Sequence, residues 1–170
     1  NLKTHSEAVT ALYFYGAGCS SSDLNAVVTS ALSTFFINAK VKVDHDLVAS
    51  AYALYQGKPV ICCIIGTGSN SCFFDGEKVT ESVPALGFIL GDEGSGSYFG
   101  KRLLADYFYN RLPSEMQHDF KKEFNLTWSE AVEKVYQNIH ANVYLASFMK
   151  FLAKHRNNAY VIETVREGMA

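Results

Sequence analysis

Residues 59–71 constrain the fold of this chain more than any other stretch, because an apolar segment runs directly into a turn of glycines and hydroxyl residues. The apolar half is mostly β-branched, which predicts a strand covered on both faces. Gly66 and Gly68 then leave backbone N–H groups free to point into a concavity, and Thr67 and Ser69 add hydroxyl groups around it. Such a turn is able to bind an anion. Glycines at these positions are equally able to serve only as the corner of a sharp turn.

Composition narrows the class of protein. The 170 residues are 48% hydrophobic and 14% aromatic, which is enough apolar side chain for a substantial core. The net charge of -2 gives no basic excess, so we expect no nucleic-acid partner. No apolar stretch reaches the roughly 20 residues of a membrane-spanning helix, and we expect no membrane partner. A chain of this length and composition is expected to be one globular domain or one large piece of a two-domain protein. No signal peptide is visible and the chain opens on Asn1 rather than Met, so we expect a fragment or a chain trimmed at its front end.

Four cysteines, Cys19, Cys62, Cys63 and Cys72, form no C-x-x-C pair and have no histidine at the spacing of a zinc site. Cys62 and Cys63 are adjacent on the predicted strand, so their side chains point to opposite faces. We expect reduced, buried packing cysteines in a cytoplasmic protein, rather than metal ligands or disulfides.

The rest of the pattern predicts an α/β chain that ends in a helical region. Apolar runs predict strands, helical periodicity predicts helices, and capping-box spacing marks two further helix starts. The predicted strands are residues 11–15, residues 41–43 and a hairpin that turns at residues 75–76. The predicted helices are residues 24–36, 47–54 and 98–112, followed by two helices that begin at Ser114 and Thr127.

Asp46 lies where a predicted strand ends and a predicted helix begins. Aspartate is a favoured N-cap, so a purely structural role explains it. Alternatively, its carboxylate points into a cleft and accepts a proton from a substrate hydroxyl. Asp44 and His45 are candidates for the same task, but Asp46 is better placed at the helix start. Position alone leaves both interpretations open.

A second glycine-rich segment, residues 91–97, precedes the long helix. It departs from a dinucleotide fingerprint, because the last glycine is one position late and Asp92 and Glu93 would repel a pyrophosphate. It is not a P-loop end either, because Arg102 stands where that motif has a magnesium-binding hydroxyl. An acidic, glycine-rich helix start suits a polyol such as a sugar better than an anion. The alternative is that these carboxylates only complement the helix dipole.

Three stretches, residues 46–51, 65–71 and 86–96, occur in this order. Together they closely resemble the N-acetylglucosamine kinase and BadF/BadG/BcrA/BcrD-type ATPase group, within the actin-like set of sugar kinases, actin and heat-shock ATPases. The resemblance implies an actin-like ATPase fold of the ribonuclease H-like class. It also implies that residues 1–58 are the end of an N-terminal domain and that residues 59–170 begin a C-terminal domain.

On the ATP side, the resemblance implies roles for five residues. Gly66, Thr67, Gly68 and Ser69 match the family's second phosphate hairpin, which faces the β- and γ-phosphates of ATP. Asp46 matches the general base that removes the proton from the sugar's 6-hydroxyl.

On the sugar side, the resemblance implies that Asn70 reaches the sugar and that Asp92 accepts a hydrogen bond from a sugar hydroxyl. Ala85, Leu86 and Gly87 match a wall of the same pocket. Animal members of the family carry Trp where Leu86 stands, which leaves the identity of the sugar open.

The implied activity is phosphoryl transfer from ATP to the 6-hydroxyl of an amino sugar such as N-acetylglucosamine, with ATP and Mg²⁺ as cofactors. The resemblance assigns no protein side chain as a metal ligand, and it does not decide whether the protein is a homodimer. The family's first phosphate loop, Asp-x-Gly-x-Thr, and its adenosine segment do not occur in these residues. We therefore expect an incomplete kinase that alone turns over slowly or not at all. Two alternatives are an ATPase activator of a 2-hydroxyacyl-CoA dehydratase, with an iron–sulfur cluster, and a sugar-sensing module without catalysis.

Overall fold

The computed structural model describes residues 5–170, in which strands and helices alternate before a helical region. The mixed α/β class predicted from the sequence is confirmed. The chain divides into two compact units, unit 1 (Asn1–Cys63 with Ser71–Val83) and unit 2 (Ile64–Asn70 with Pro84–Ala170). The predicted domain boundary between residues 58 and 59 stays a prediction.

The secondary structure follows the predicted order closely. After a 3-10 turn at Ser6–Ala8, the elements are β1 (Ala11–Gly16), α1 (Ser22–Phe35), β2 (Lys40–His45), α2 (Asp46–Leu54), β3 (Val60–Ile65), β4 (Ser69–Phe74), β5 (Val79–Thr80), α3 (Gly87–Leu90), α4 (Gly96–Phe108), α5 (Ser114–Phe124), α6 (Trp128–Tyr136), α7 (Ala141–Ser147), α8 (Met149–Lys154) and α9 (Ala159–Met169).

In unit 1, β1 and β2 form a parallel two-stranded sheet whose carboxyl end pairs Gly16 with His45. Parallel strands need a crossover connection, which α1 supplies. The Ser21 hydroxyl caps α1 by accepting a hydrogen bond from the Leu24 N–H at 3.3 Å. Because α2 begins directly after β2, the end of this sheet places His45 and Asp46 side by side.

The predicted hairpin is confirmed, with β3, β4 and β5 in that order in one sheet. The turn between β4 and β5 depends on Asp75, whose Oδ1 accepts hydrogen bonds from the N–H groups of Lys78 and Glu77 at 2.7 and 2.8 Å. These bonds hold the pKa of Asp75 below its usual value. Gly76 has φ 108°, and a Cβ there would collide with the hydroxyl of Tyr55, so the turn requires glycine.

The prediction that β3 is covered on both faces is wrong. Cys62 is fully buried, whereas Ile61 and Ile65 on the opposite face are 71% and 56% exposed. Side chains alternate along a strand, so β3 has one buried and one exposed face. In the sequence, odd and even positions of this strand are equally apolar, so the pattern does not indicate which face is buried.

All four cysteines are free thiols. Cys19, Cys62 and Cys72 are buried as expected, but Cys63 is exposed because it lies on the open face of β3. Burial, together with the neighbouring Cys62, raises the pKa of the Cys72 thiol. A raised pKa disfavours the thiolate, which is the reactive form of a cysteine.

The core of unit 2 is formed by α4 to α9, where large apolar side chains from five of these helices pack together. Its fully buried members include Leu103, Met116, Phe120, Leu145, Phe148, Phe151 and Leu152. Tyr144 is partly buried and packs against this core, to which both α7 and α8 contribute. None of the helices in the described part of the chain has the length and apolar character needed to cross a membrane.

The two predicted capping boxes have different outcomes. At α6 the Thr127 hydroxyl accepts from the Glu130 N–H and the Glu130 carboxylate accepts from the Thr127 N–H, as predicted. At α5 the N-cap is Pro113 and no side chain caps the helix, so the box predicted at Ser114 is wrong. Proline has a restricted backbone that suits the residue before a helix, and Ser114 becomes the first helical residue.

Candidate functional site

The glycine turn that joins β3 to β4 is the first component of the site. The Gly66 N–H donates to the Gly68 carbonyl at 2.9 Å, which closes the turn. Among residues 5–170, no described acceptor pairs with the N–H groups of Thr67 and Gly68. A Cβ added at Gly66 would have nothing within 4 Å. The turn therefore presents two backbone donors next to open space, the geometry of an anion-binding loop.

Asp92 lies against this turn within unit 2. A Cβ at Gly68 would be 2.7 Å from Asp92 Oδ2, so the carboxylate occupies the space that a side chain would need. The Ser69 N–H donates to Asp92 Oδ1 at 3.4 Å, and the Ser69 hydroxyl donates to the Glu93 carbonyl at 2.8 Å. The structure thus brings together the predicted phosphate turn and the predicted sugar-binding carboxylate.

The start of α4 is fixed to the same turn. The Gly96 N–H donates to the Gly66 carbonyl at 2.8 Å, and the Ser97 N–H donates to the Thr67 carbonyl at 3.0 Å. These bonds satisfy two N–H groups that would otherwise be unpaired at the helix start. The first turn of α4 and the glycine turn therefore form one rigid assembly inside unit 2.

Two buried serines in this assembly were not predicted. Ser95 is the N-cap of α4 and accepts from the Tyr98 N–H at 3.2 Å. Ser95 and Ser97 are fully buried, and their hydroxyl oxygens are 3.1 Å apart. Serine directly before a predicted helix is an N-cap signal that the sequence contains, but the burial of Ser97 depends on packing.

The backbone of the acidic segment is strained. Asp92 has φ 60°, in the left-handed region that few non-glycine residues adopt. Gly94 has φ 72°, and a Cβ there would be 2.8 Å from Met169 Sδ at the end of α9. Backbone strain of this kind is concentrated at functional sites, where the surrounding structure imposes it.

The remaining predicted sugar-site residues of unit 2 are less closely grouped. Asn70 is half-buried in β4, next to Ser69. Ala85 and Leu86 are exposed, and Gly87 begins α3 with φ 71°. A Cβ at Gly91 would be 3.1 Å from Leu86 Cβ, so the predicted wall adjoins the acidic segment through that position.

Asp46 is in unit 1, as the first residue of α2. The N-cap of α2 is His45, which makes no side-chain capping bond. Asp46 is therefore the first helical residue and not the N-cap. Asp46 Oδ1 accepts from the Leu47 N–H at 2.9 Å and lies 3.3 Å from His45 Nε2. Its side chain is 32% exposed. That Asp46 acts on the same substrate as the glycine turn stays a prediction.

The described residues contain no group of three or more His, Cys, Asp or Glu side chains arranged to hold a metal ion.

Comparison with solved structures finds a protein of the same fold. The crystal structure of a protein named "putative N-acetylglucosamine kinase" from Porphyromonas gingivalis superimposes with a TM-score of 0.90 at 34% sequence identity. This match bears out the resemblance to the N-acetylglucosamine kinases. It covers 96% of this chain, so it extends over the helical region, where the sequence offered no motif. The chain spans 58% of the length of that kinase relative. No family model matches the chain, and no curated protein matches it.

Proposed function

We infer that this chain is part of an ATP-dependent sugar kinase with the actin-like ATPase fold. The reaction is phosphoryl transfer from ATP, with Mg²⁺, to the 6-hydroxyl of an amino sugar such as N-acetylglucosamine. The observation that carries this proposal is the contact of the glycine turn with Asp92 inside unit 2. In the same proposal the protein is cytoplasmic, and its oligomeric state is left open.

The glycine turn has the donors that a phosphate group needs. The N–H groups of Thr67 and Gly68 are unpaired among the described residues, and the Thr67 hydroxyl is adjacent. Backbone N–H groups at a rigid turn bind phosphate oxygens without reorganising. Because the α4 start is hydrogen-bonded to the turn, the donors are held in place before ATP binds. These residues fit ATP, and bound Mg²⁺ would neutralise charge on its phosphates.

Asp92 provides the polyol contact in this proposal. Its Oδ1 already accepts a long hydrogen bond from Ser69, and its left-handed backbone fixes the direction of the side chain. A carboxylate is an acceptor only, so it favours the hydroxyl groups of a neutral sugar. A sugar hydroxyl at Asp92 would lie directly beside the phosphate turn, as transfer between the two requires.

Asp46 is the proposed general base. Both described contacts of its carboxylate, the Leu47 N–H and the His45 ring, are made to Oδ1. Oδ2 is therefore free to accept the proton of the acceptor hydroxyl. General-base catalysis contributes about 10²–10⁴-fold to the rate.

A substrate screen tests the proposal. The full-length gene product is incubated with Mg-ATP and a panel of hexosamines and hexoses, and sugar phosphate is detected by mass spectrometry. We expect an N-acetylated or free amino sugar to be phosphorylated at the 6-hydroxyl. Sugar binding by calorimetry without any phosphorylation would contradict kinase activity and support the sensor alternative. An iron-containing, brown preparation would contradict it in favour of the dehydratase activator.

A further inference from the structure

The short helix α3 connects two parts of the proposed sugar site. The predicted wall residues Leu86 and Gly87 lie at its start, and Asp92 directly follows its C-cap, Gly91. The Gly91 N–H donates to the Gly87 carbonyl at 2.8 Å, which closes the helical turn. This helix has only 4 residues, whereas an isolated helix needs roughly 12 to be even marginally stable. The conformation of α3 therefore depends on contacts with the rest of unit 2.

Phe88 makes two such contacts. Its ring packs against the hydrophobic core formed by α4 to α9. Its carbonyl accepts a hydrogen bond from the ammonium group of Lys101, in the second turn of α4, at 2.9 Å. The next two residues of α3, Ile89 and Leu90, are 72% and 74% exposed, so they add little packing. Phe88 therefore attaches α3 to the helical core both through its ring and through its backbone.

The carbonyl that Lys101 contacts belongs to the last turn of α3. The last carbonyls of a helix have no partner within it, and a lysine ammonium near a helix C-terminus satisfies one of them and complements its partial negative charge. Lys101 is exposed, but the distance from its Nζ to the carbonyl oxygen is that of a regular hydrogen bond. It lies on the helix whose start is bonded to the glycine turn. The Lys101 bond thus links α3 to the element that holds the proposed phosphate site.

We propose that Lys101 is a positioning residue: by donating to the Phe88 carbonyl, it fixes α3, and through α3 the predicted sugar wall beside Asp92. This rests on the proposed function, in which these groups bind the sugar. Lys101 does not itself contact the sugar in this role. The glycine turn is held by separate bonds from the N–H groups of Gly96 and Ser97. Loss of the Lys101 bond should therefore weaken sugar binding and leave ATP binding unchanged.

The structural part of the proposal is tested on the 170-residue chain by NMR. Lys101→Met keeps an unbranched apolar stem but cannot donate, so in a ¹⁵N-labelled sample it should speed exchange of the Gly91 N–H with water about threefold to tenfold. Lys101→Arg keeps a donor and should stay within about twofold of the wild type. The control is Lys122→Met, the same change at an exposed lysine of α5, which should also match the wild type. An unchanged Gly91 rate in Lys101→Met would overturn the proposal whether or not the protein is a kinase.

The functional part uses the full-length gene product. Lys101→Met should raise KM for the sugar about threefold to tenfold, because binding must then order a looser wall. KM for ATP and kcat should change less than about twofold, because the glycine turn keeps its own bonds. Lys101→Arg should restore the wild-type KM for the sugar, and Lys122→Met should match the wild type throughout. A general loss of folded protein would instead lower the apparent kcat and leave both KM values unchanged.

The outcomes separate the two proposals. If the wild type phosphorylates no sugar, the proposed function fails, and the exchange rate of the Gly91 N–H alone decides whether Lys101 holds α3. If the wild type is a kinase and Lys101→Met has the wild-type KM for the sugar, or raises both KM values equally, only the positioning role is overturned. Failure of Lys101→Arg to restore the KM for the sugar would likewise contradict it.

Discussion

Replacing Gly68 with alanine separates the role of the Asp92 contact from that of the turn itself. The added Cβ would be 2.7 Å from Asp92 Oδ2 and 3.1 Å from its Cγ. The control is Gly66→Ala, because a Cβ there would meet nothing within 4 Å. Both substitutions change one glycine of the same turn to alanine, so effects on the unfolded chain are matched.

The magnitude follows from the geometry. Asp92 must withdraw by about 0.7 Å to regain an ordinary contact distance, and its hydrogen bond from the Ser69 N–H, already 3.4 Å long, is lost. Losing that bond and repacking the carboxylate costs about 1–2 kcal/mol. We expect Gly68→Ala to be less stable than Gly66→Ala by this amount, and to bind the sugar about tenfold more weakly.

Urea unfolding and calorimetric titration with the sugar measure the two effects. Gly66→Ala should remain within about 0.5 kcal/mol of the wild type in stability and should bind the sugar normally. Equal stability of the two variants would refute the close approach of Asp92 to the turn. A destabilised Gly68→Ala protein with unchanged sugar affinity would show that the contact is structural and that Asp92 does not bind the sugar.

Three further predictions concern stability, each measured by urea unfolding. Gly100→Ala should lower the free energy of unfolding by about 3 kcal/mol or more, because the added Cβ would be 2.5 Å from the carbonyl carbon of Leu145. A variant as stable as the wild type would contradict this close contact between α4 and α7. Backbone N–H donors lower the pKa of Asp75, so its contribution to stability is present above the ordinary aspartate pKa and is lost as the pH falls through the lowered pKa. The wild type should therefore be more stable to urea than Asp75→Asn at pH 6 but not at pH 2. A stability difference that does not change with pH would contradict this. Tyr160→Phe removes a 2.7 Å hydrogen bond to Asp106 and should cost about 1 kcal/mol, an effect that would be absent if the hydroxyl were solvated.

The local parts of the site could be predicted because their signals are local. The glycine turn at Gly66 and Gly68, the hairpin turn at Asp75 and the capping box at Thr127 depend on residues within a few positions of one another. The family motifs added the association of the turn with Asp92, and the structure places the two in contact.

The parts that could not be predicted depend on contacts between distant residues. Ser97 is buried where the start of α4 is hydrogen-bonded to carbonyls of the glycine turn, about 30 positions earlier in the chain. Glu81 Oε1 lies 4.0 Å from Nδ1 of His45, although the two residues are distant in the sequence. The one-sided burial of β3 is a further case, because the apolar run does not specify which face is covered. The helix start at Ser114 was predicted, but the residue that serves as N-cap is Pro113, which makes no side-chain capping bond.

The most direct test of the account compares wild type and Asp46→Asn for two quantities in the same full-length protein. ³¹P NMR follows formation of sugar 6-phosphate from Mg-ATP, and calorimetry gives the sugar affinity. If Asp46 is the general base, Asp46→Asn lowers the rate of phosphoryl transfer by about 10² or more and changes the sugar Kd by less than about threefold. Undiminished phosphate transfer by Asp46→Asn, or sugar bound by the wild type and never phosphorylated, would contradict it.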